Sequence, residues 1–380
     1  MFLYQAQGEF FAQVAGGLEE LAAAELRALG ADEVRVLPRG LEFRCDRETL
    51  YRIVYRARLI SRVQAPLTRF DITSGEDLYL KTKKIDWTHL LTLDQTFAVD
   101  GNVSRSVIDN SHFAALKVKD VVVDMFRARY KGKRPNVDTK EPDLAINVHI
   151  RNNTATIAID CAGAPLHRRG YRLRAVTAPM QETLAAAILD FAGWEGKEPL
   201  YDPMCGSGTL LSEAWLKAGH LPAGVLRRKF GFMMLPDYNR NDWIKVKFTE
   251  DNRVQPVRGG LIKGSDIDPE AVRITRENNA RLPGGDELRV RTCDFRELPE
   301  LPPGLIVCNP PYGLRLEKGT DMAAFMRDFG DFLKQKCQGS RAWVYLGDRE
   351  LVKQVGLKAQ RKIPLLNGGL DGRLVLYEVH

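Results

Sequence analysis

The run LIVCNPPYG, from Leu305 to Gly313, places an asparagine, two prolines and an aromatic ring at the end of four apolar residues. Asn309 carries a side-chain oxygen that accepts N–H donors, and Pro310 and Pro311 have no backbone N–H to compete for it. Tyr312 adds a stacking face. Such a set suits a clamp for the amino group of a base taken out of its stack. An isolated Asn-Pro-Pro is more often a plain turn.

Three stretches upstream bear on that choice. In PLYDPMCGSGTLL a short strand meets a turn with Gly206 and Gly208, whose missing side chains allow close approach of a ligand or simply a tight strand–helix turn. It is neither GxGxxG nor a phosphate loop ending in GK[ST], so a dinucleotide and ATP are not the first ligands to consider. In LIKGSDIDPEAV a strand ends at Asp266, where a carboxylate can accept ribose hydroxyls, and Asp268 is placed to cap the following helix. In LRVRTCDF a third strand ends at Asp294 and Phe295, an acceptor for an adenine amino group beside an apolar wall. All four landmarks fall at carboxyl ends of strands, where open α/β sheets bind ligands.

The elements that must position them are legible in outline. From residue 199 onward, strand, turn and helix alternate, the pattern of an α/β domain with a mostly parallel sheet. The last segment, KIPLLNGGLDGRLVLYEV, reads as two strands around a glycine turn, an antiparallel edge hairpin. Ahead of this, ETLAAAILDFAGW is a helix. The first sixty residues read as a small β-α-β-β-α unit, with Asp46 capping a helix that runs through DRETLYRIVYRARLISRVQ. A second unit holds the strand QTFAVDGNV, a helix from Ser111 with a basic end, and a hairpin around Asn152–Asn153. Residues 220–258 are too long for an ordinary connection, and their aromatic and basic side chains suit either a roof over the site or an added helix.

The 380 residues carry 56 basic and 49 acidic side chains, a net charge of +7 that permits a nucleic-acid partner without requiring one. Six scattered cysteines lack metal-site spacing and suit a reduced, cytoplasmic setting. His89, His112, His149, His220 and His380 form no metal pattern either, so no metal is expected. The start, MFLYQAQGEFF, lacks the basic opening of a signal peptide, and no apolar window is long enough to span a membrane.

The series DPMCGSG, GSDID, CDF and NPPYG resembles the S-adenosylmethionine-dependent methyltransferases that act on amino groups. The resemblance implies that Asp202, Met204, Cys205 and Gly206, with Gly208, line the methionine part of S-adenosyl-L-methionine. It implies that Asp266 and Ile267 flank the ribose, that Asp294 and Phe295 lie near the adenine, and that Pro179 and Thr183 touch the methionine end. Asn309 and the Pro310 carbonyl would then accept the two N–H bonds of the target amine, with Tyr312 stacking on the base and Pro311 stiffening the loop. Cys205 has no histidine base suggested nearby and reads as a small pocket residue, not a nucleophile.

The amino-terminal half, with LKVKDVVVDMF, RPNVDTKEPDLAINVHI and TIAIDCAGAPLHRRGYR, is similar to the THUMP domain of RNA-modifying enzymes. A ferredoxin-like portion precedes it, and PAGVLRRKFGF and LLNGGLDGRLVLYE match the bacterial branch that methylates guanine N2 of large-subunit ribosomal RNA. The fold this implies is a class I Rossmann-like domain, a mostly parallel seven-stranded sheet with an antiparallel edge hairpin, behind ferredoxin-like and THUMP α+β domains. The expected spans are 1–65 ferredoxin-like, 66–165 THUMP, 166–178 basic linker and 179–380 methyltransferase; a second methyltransferase domain, carried by some members, is not expected within this span. The expected partner is 23S ribosomal RNA or a ribosome assembly intermediate. It would be contacted through Lys117, Lys119, Arg127, Arg129, Lys131, Lys133 and Arg134 at a helix end. Arg168 and Arg169 either join them or brace the joint between domains. A guanine-N2 enzyme for transfer RNA, an adenine-N6 RNA enzyme and a non-catalytic RNA-binding assembly factor are the alternatives.

Overall fold

The computed structural model describes residues 1–175, 179–311, 321–367 and 370–380, with no side-chain description at Leu370. Two compact units emerge: one comprises 1–14, 22–166 and 227–248, the other 15–21, 167–226 and 249–380.

The first unit is organised on an eight-stranded sheet. In chain order its elements are α1 (Leu3–Gln7), β1 (Glu9–Val14), α2 (Glu19–Ala28), β2 (Asp32–Leu37), β3 (Gly40–Arg44), α3 (Arg47–Arg56) and β4 (Ile60–Asp71). There follow α4 (Gly75–Thr82), β5 (Thr96–Ser104), α5 (Ser111–Arg129), β6 (Asn136–Val137), β7 (Leu144–Arg151) and β8 (Thr154–Asp160). The strand order is β2-β3-β1-β4-β8-β7-β5-β6. Asp46 caps α3 as expected, accepting the Thr49 amide at 2.8 Å.

The helix read through LISRVQ stops at Arg56 instead, and Ile60 begins β4. This strand is central, with Ile60, Val63 and Ala65 fully buried, so it shows no apolar–polar alternation to separate it from helix. Its amino half pairs antiparallel with β1 and its carboxyl half with β8, with a bulge between Pro66 and Thr68 where a proline cannot donate. The sequence boundary at 65/66 thus falls inside one strand that both portions share. The β7–β8 hairpin turns through Asn152 and Asn153, at φ +50° and +62°, the left-handed pair that a type I′ turn needs.

The second unit opens with α6 (Glu182–Phe191), β9 (Leu200–Asp202) and α7 (Thr209–Ala218). The chain then contributes 227–248 to the first unit through a 3-10 turn, Gly231–Met234, and most of α8 (Arg240–Asp251). Of the two roles weighed for this insertion, it takes that of an added helix. Phe232 lies tilted against Tyr51 with ring centroids 4.5 Å apart, and Trp243 sits edge-on to Tyr55 at 5.3 Å. Gly231 permits the approach, because a Cβ there would come within 1.8 Å of the Asp160 carbonyl oxygen.

The second unit continues with β10 (Ile262–Asp266), α9 (Pro269–Asn279), β11 (Arg289–Thr292), β12 (Leu305–Cys308), α10 (Met322–Lys336), β13 (Arg341–Leu346), β14 (Ala359–Asn367) and β15 (Leu370–Glu378). The order β11-β10-β9-β12-β13-β15-β14 forms the expected sheet: the first five strands are parallel, and β15 and β14 close it as an antiparallel hairpin. From β9 the chain proceeds outward to β10 and β11, then returns to β12 on the other side. The carboxyl ends of β9 and β12 therefore flank the switch point. Below them, α10 packs Met326, Phe329 and Leu333 against Ile306, Cys308 and Val344.

Candidate active site

Asp202 ends β9 fully buried, and its Oδ1 accepts the Met204 amide at 3.1 Å. Burial drives its carboxyl well above the usual range, and nearby Asp266 adds to the effect. The turn that follows takes Gly206 and Gly208 through φ +55° and +81°. At Gly208 a Cβ would also lie 2.6 Å from Thr275 Cγ2. The Cys205 thiol is buried and its pKa pushed up by desolvation, so it is not poised as a nucleophile.

The Asp266 carboxylate holds this turn from the next strand, accepting the Gly206 amide at 2.8 Å and the Asp268 amide at 3.0 Å. Asp268 in turn caps α9, accepting the Glu270 amide. Ile267, between the two acids, is 67 % exposed. At the end of β11, Asp294 caps a short 3-10 turn through the Arg296 amide at 2.9 Å and pairs with the Arg296 guanidinium at 3.0 Å. The Phe295 ring, expected as an apolar wall near the adenine, is buried edge-on against Phe325, Phe329 and Phe332, because the turn after β11 folds it into the α10 core.

Asn309 follows β12, and its Oδ1 is buried without a partner among the described residues. Pro310 is buried and Pro311 half-buried; Tyr312 lies outside the described residues.

Sequence reasoning left Arg172, Thr275 and Asn278 without roles here. Arg172 donates to the Met180 carbonyl at 2.9 Å, the Glu182 carboxylate at 3.0 Å and the Thr209 hydroxyl at 3.1 Å, tying the chain before α6 to the start of α7. Its Nη1 is buried with no partner among the described residues. Thr275 donates to the Gly206 carbonyl and Asn278 to the Ser207 carbonyl. The signal was present: two polar residues three apart on the buried face of α9 need polar partners. Thr183 is buried at the start of α6 and Pro179 is half-buried just before it.

The arginines of the linker part company. Arg168 is exposed. Arg169 is 1 % exposed and pairs with buried Glu213 of α7, so it cannot meet an RNA phosphate. In the first unit, Arg127, Arg129, Lys131, Lys133 and Arg134 are exposed at and beyond the end of α5, with Lys117 and Lys119 half-buried along it.

No group of His, Cys, Asp and Glu among the described residues could hold a metal ion, and no described helix is long and apolar enough to cross a membrane.

Residues 169–375, more than half the chain, match the family described as "RMKL-like, methyltransferase domain". Residues 73–160 match the THUMP domain, and 9–64 the RlmL ferredoxin-like domain. A candidate RNA methyltransferase of Synechocystis is 38 % identical over 98 % of this chain and 97 % of its own. The ribosomal RNA large subunit methyltransferase K/L of Syntrophotalea carbinolica is 40 % identical over 98 % of this chain but only 53 % of its own, so the chain spans about half of that relative. A solved structure from Listeria monocytogenes, described as a candidate N6-adenine-specific DNA methylase, superposes with a TM-score of 0.84 at 28 % identity, covering 98 % of this chain and 97 % of its own. With a class I Rossmann-like domain behind THUMP and ferredoxin-like regions, the chain belongs to the RMKL-like family of S-adenosyl-L-methionine-dependent methyltransferases.

Proposed function

We propose that this protein transfers a methyl group from S-adenosyl-L-methionine to the exocyclic N2 amine of a guanine in 23S ribosomal RNA. The observation that carries this is the orphan Asn309 Oδ1. Buried polar atoms are almost always paired, so an acceptor with no partner among the described residues, beside the switch point, suits an N–H donor of the substrate. An exocyclic amine supplies two.

The site fits the cofactor. Asp202 is a desolvated carboxylate suited to an ammonium, and Arg172 Nη1, without a partner among the described residues, is a donor suited to a carboxylate. With Met204, Cys205, Gly206, Gly208, Pro179 and Thr183 these would hold the methionine part. Asp266, having spare lone pairs, would take the ribose hydroxyls, and Ile267 and Asp294 would border the adenine, with Phe295 supporting that edge from the core. When bound, the cofactor supplies an electrophilic methyl group on a sulfonium.

The protein's part is orientation. A guanine N2 lone pair is delocalised into the ring and nucleophilic only when the nitrogen pyramidalises. Asn309 Oδ1 and the Pro310 carbonyl would accept its two N–H bonds, polarise them and fix the lone pair in one direction. Tyr312 would stack on the extruded base. Stacking contributes about 1–3 kcal/mol against a few kcal/mol for extrusion, so other contacts must supply the remainder.

The THUMP match and the basic end of α5 support an RNA partner, bound through Arg127, Arg129, Lys131, Lys133, Arg134, Lys117, Lys119 and Arg168. The K/L relative's name supports the large ribosomal subunit. Six free cysteines suit a cytoplasmic setting. The test is incubation of unmodified total RNA with protein and labelled cofactor, followed by mass mapping. Label at a guanine N2 of 23S RNA is expected; label on adenine or transfer RNA, or none, overturns the assignment.

A further inference from the structure

A groove of about 450 Å³ lies in the second unit near the amino ends of its central strands, lined by Pro199, Tyr201, Lys263, Arg289, Arg291 and Ile306 among others. The volume falls in the range of small-molecule sites, roughly 300–1,000 Å³. It opens at the end of the sheet opposite Asp202, Asp266 and Asn309, so it is separate from the candidate active site.

The parallel register accounts for its lining. Ile306 pairs with Tyr201, Tyr201 with Lys263, and Lys263 with Arg289, forming one row across four strands. Arg291 lies two residues beyond Arg289 and so shares its face. Across β12 and β13 this face is covered by α10. Toward β10 and β11 it carries exposed cations instead of apolar side chains. The connection from β11 to β12 holds only a 3-10 turn, Phe295–Glu297, where a covering helix would be expected in a parallel sheet.

None of the side chains of Lys263, Arg289 and Arg291 has a hydrogen bond or ion pair among the described residues, and Glu300, which also lines the groove, pairs with none of them. Like charges side by side on adjacent strands are destabilising. A chain that keeps three of them over a floor of Pro199, Leu301 and Ile306 has a surface complementary to an anion with an apolar body. Tyr201, 8 % exposed, adds a hydroxyl without a partner among the described residues at the same face.

We infer that this groove holds a nucleotide of single-stranded RNA, its base on the apolar floor and its phosphates on Lys263, Arg289 and Arg291. It is a second RNA contact, remote from the basic end of α5 in sequence and opposite the methyl-transfer end of its own sheet. The inference rests on the RNA partner named above, but not on which base is methylated.

The test is fluorescence anisotropy of a labelled single-stranded oligoribonucleotide with the full chain, between about 50 and 200 mM salt. The triple variant Lys263→Ala, Arg289→Ala, Arg291→Ala changes exposed side chains, and a thermal melt checks its fold. Binding should weaken by roughly tenfold or more, and the slope of log K against log salt should flatten by roughly 1.4, from the two phosphates that flank one nucleotide at about 0.7 each on a single strand. Affinity for S-adenosylhomocysteine should be unchanged. Tyr201→Phe, which keeps the ring, should weaken RNA binding without altering the salt slope. If wild type binds RNA and the triple variant matches it in affinity and slope, the groove assignment falls while the RNA reading stands. If wild type binds no RNA, both fall. Equal competition by polyglutamate in wild type and loss of that competition in the variant would assign the groove to an acidic protein and overturn the inference.

Discussion

The Asp266 carboxylate accepts the Gly206 amide at 2.8 Å, so the end of one strand fixes the loop that follows its neighbour. The Gly206 backbone is in the left-handed region and depends on this acceptor and on Thr275 to stay there. Asp266→Ala should therefore loosen the loop as well as remove a ribose acceptor. S-adenosylhomocysteine affinity should fall roughly 10- to 100-fold, given about 1.5–3 kcal/mol for a hydrogen bond to a charged group. Asp266→Asn keeps one acceptor and should fall between. Calorimetry is the check, and an Ala variant within about twofold of wild type would remove the loop from Asp266's control.

Asn309→Ala separates binding from turnover. If the orphan Oδ1 is kept for the target amine, its loss leaves the Asp202–Gly208 loop intact and deprives the reacting nitrogen of one oriented dipole. By analogy with other preorganised dipoles, kcat should fall about 10²–10³-fold. Cofactor Kd should move by no more than about threefold. Single-turnover methylation with calorimetry on the same sample reads both; retained turnover would exclude Asn309 from the chemistry.

The strand-end acids were legible in the sequence because each sits where a short apolar run meets a turn, a signal contained within a few residues. Asp266 is of this kind, and the helix cap Asp268 and the amide Asn309 follow strand ends in the same way. What escaped was set by partners far along the chain. Arg168 and Arg169 are adjacent and chemically identical, yet only Arg169 is buried, because Glu213 of α7 awaits it 44 residues on. The amino end of β4, Ile60–Gln64, reads as helix because Ile60 and Val63 continue the apolar spacing of α3. Phe295 reads as an apolar wall, but the rings it packs against come from α10, about thirty residues later.

That contrast between neighbouring arginines gives a third prediction. Arg169→Ala deprives buried Glu213 of its guanidinium partner and should cost about 3–5 kcal/mol of stability. RNA affinity of the folded protein should not change. Arg168→Ala should do the reverse, leaving stability within about 0.5 kcal/mol and weakening RNA binding. Urea unfolding and RNA anisotropy on both variants decide it. A stable Arg169→Ala protein with impaired RNA binding would restore Arg169 as an RNA contact.

Asp202 predicts an unusual pH response. Burial raises its folded pKa well above the unfolded carboxylate value of about 3.9. Below that unfolded value both states hold the proton, and the group's contribution to stability is fully present. As pH rises, the unfolded chain releases its proton first, so stability is lost progressively until the pH passes the raised folded value. Asp202→Asn retains an oxygen for the Met204 amide but cannot ionise, and so escapes that loss. In thermal melts without cofactor the Asn variant should exceed wild type at about pH 8, with the gap closing toward about pH 4. Cofactor binding at about pH 8 should move the other way, because the variant offers no negative charge to an ammonium. A protein optimised for stability alone would carry Asn here; a site that needs the charge accepts its desolvation. A gap that is constant with pH, or wild type melting higher throughout, would mean that Asp202 is not the strained carboxylate its burial implies.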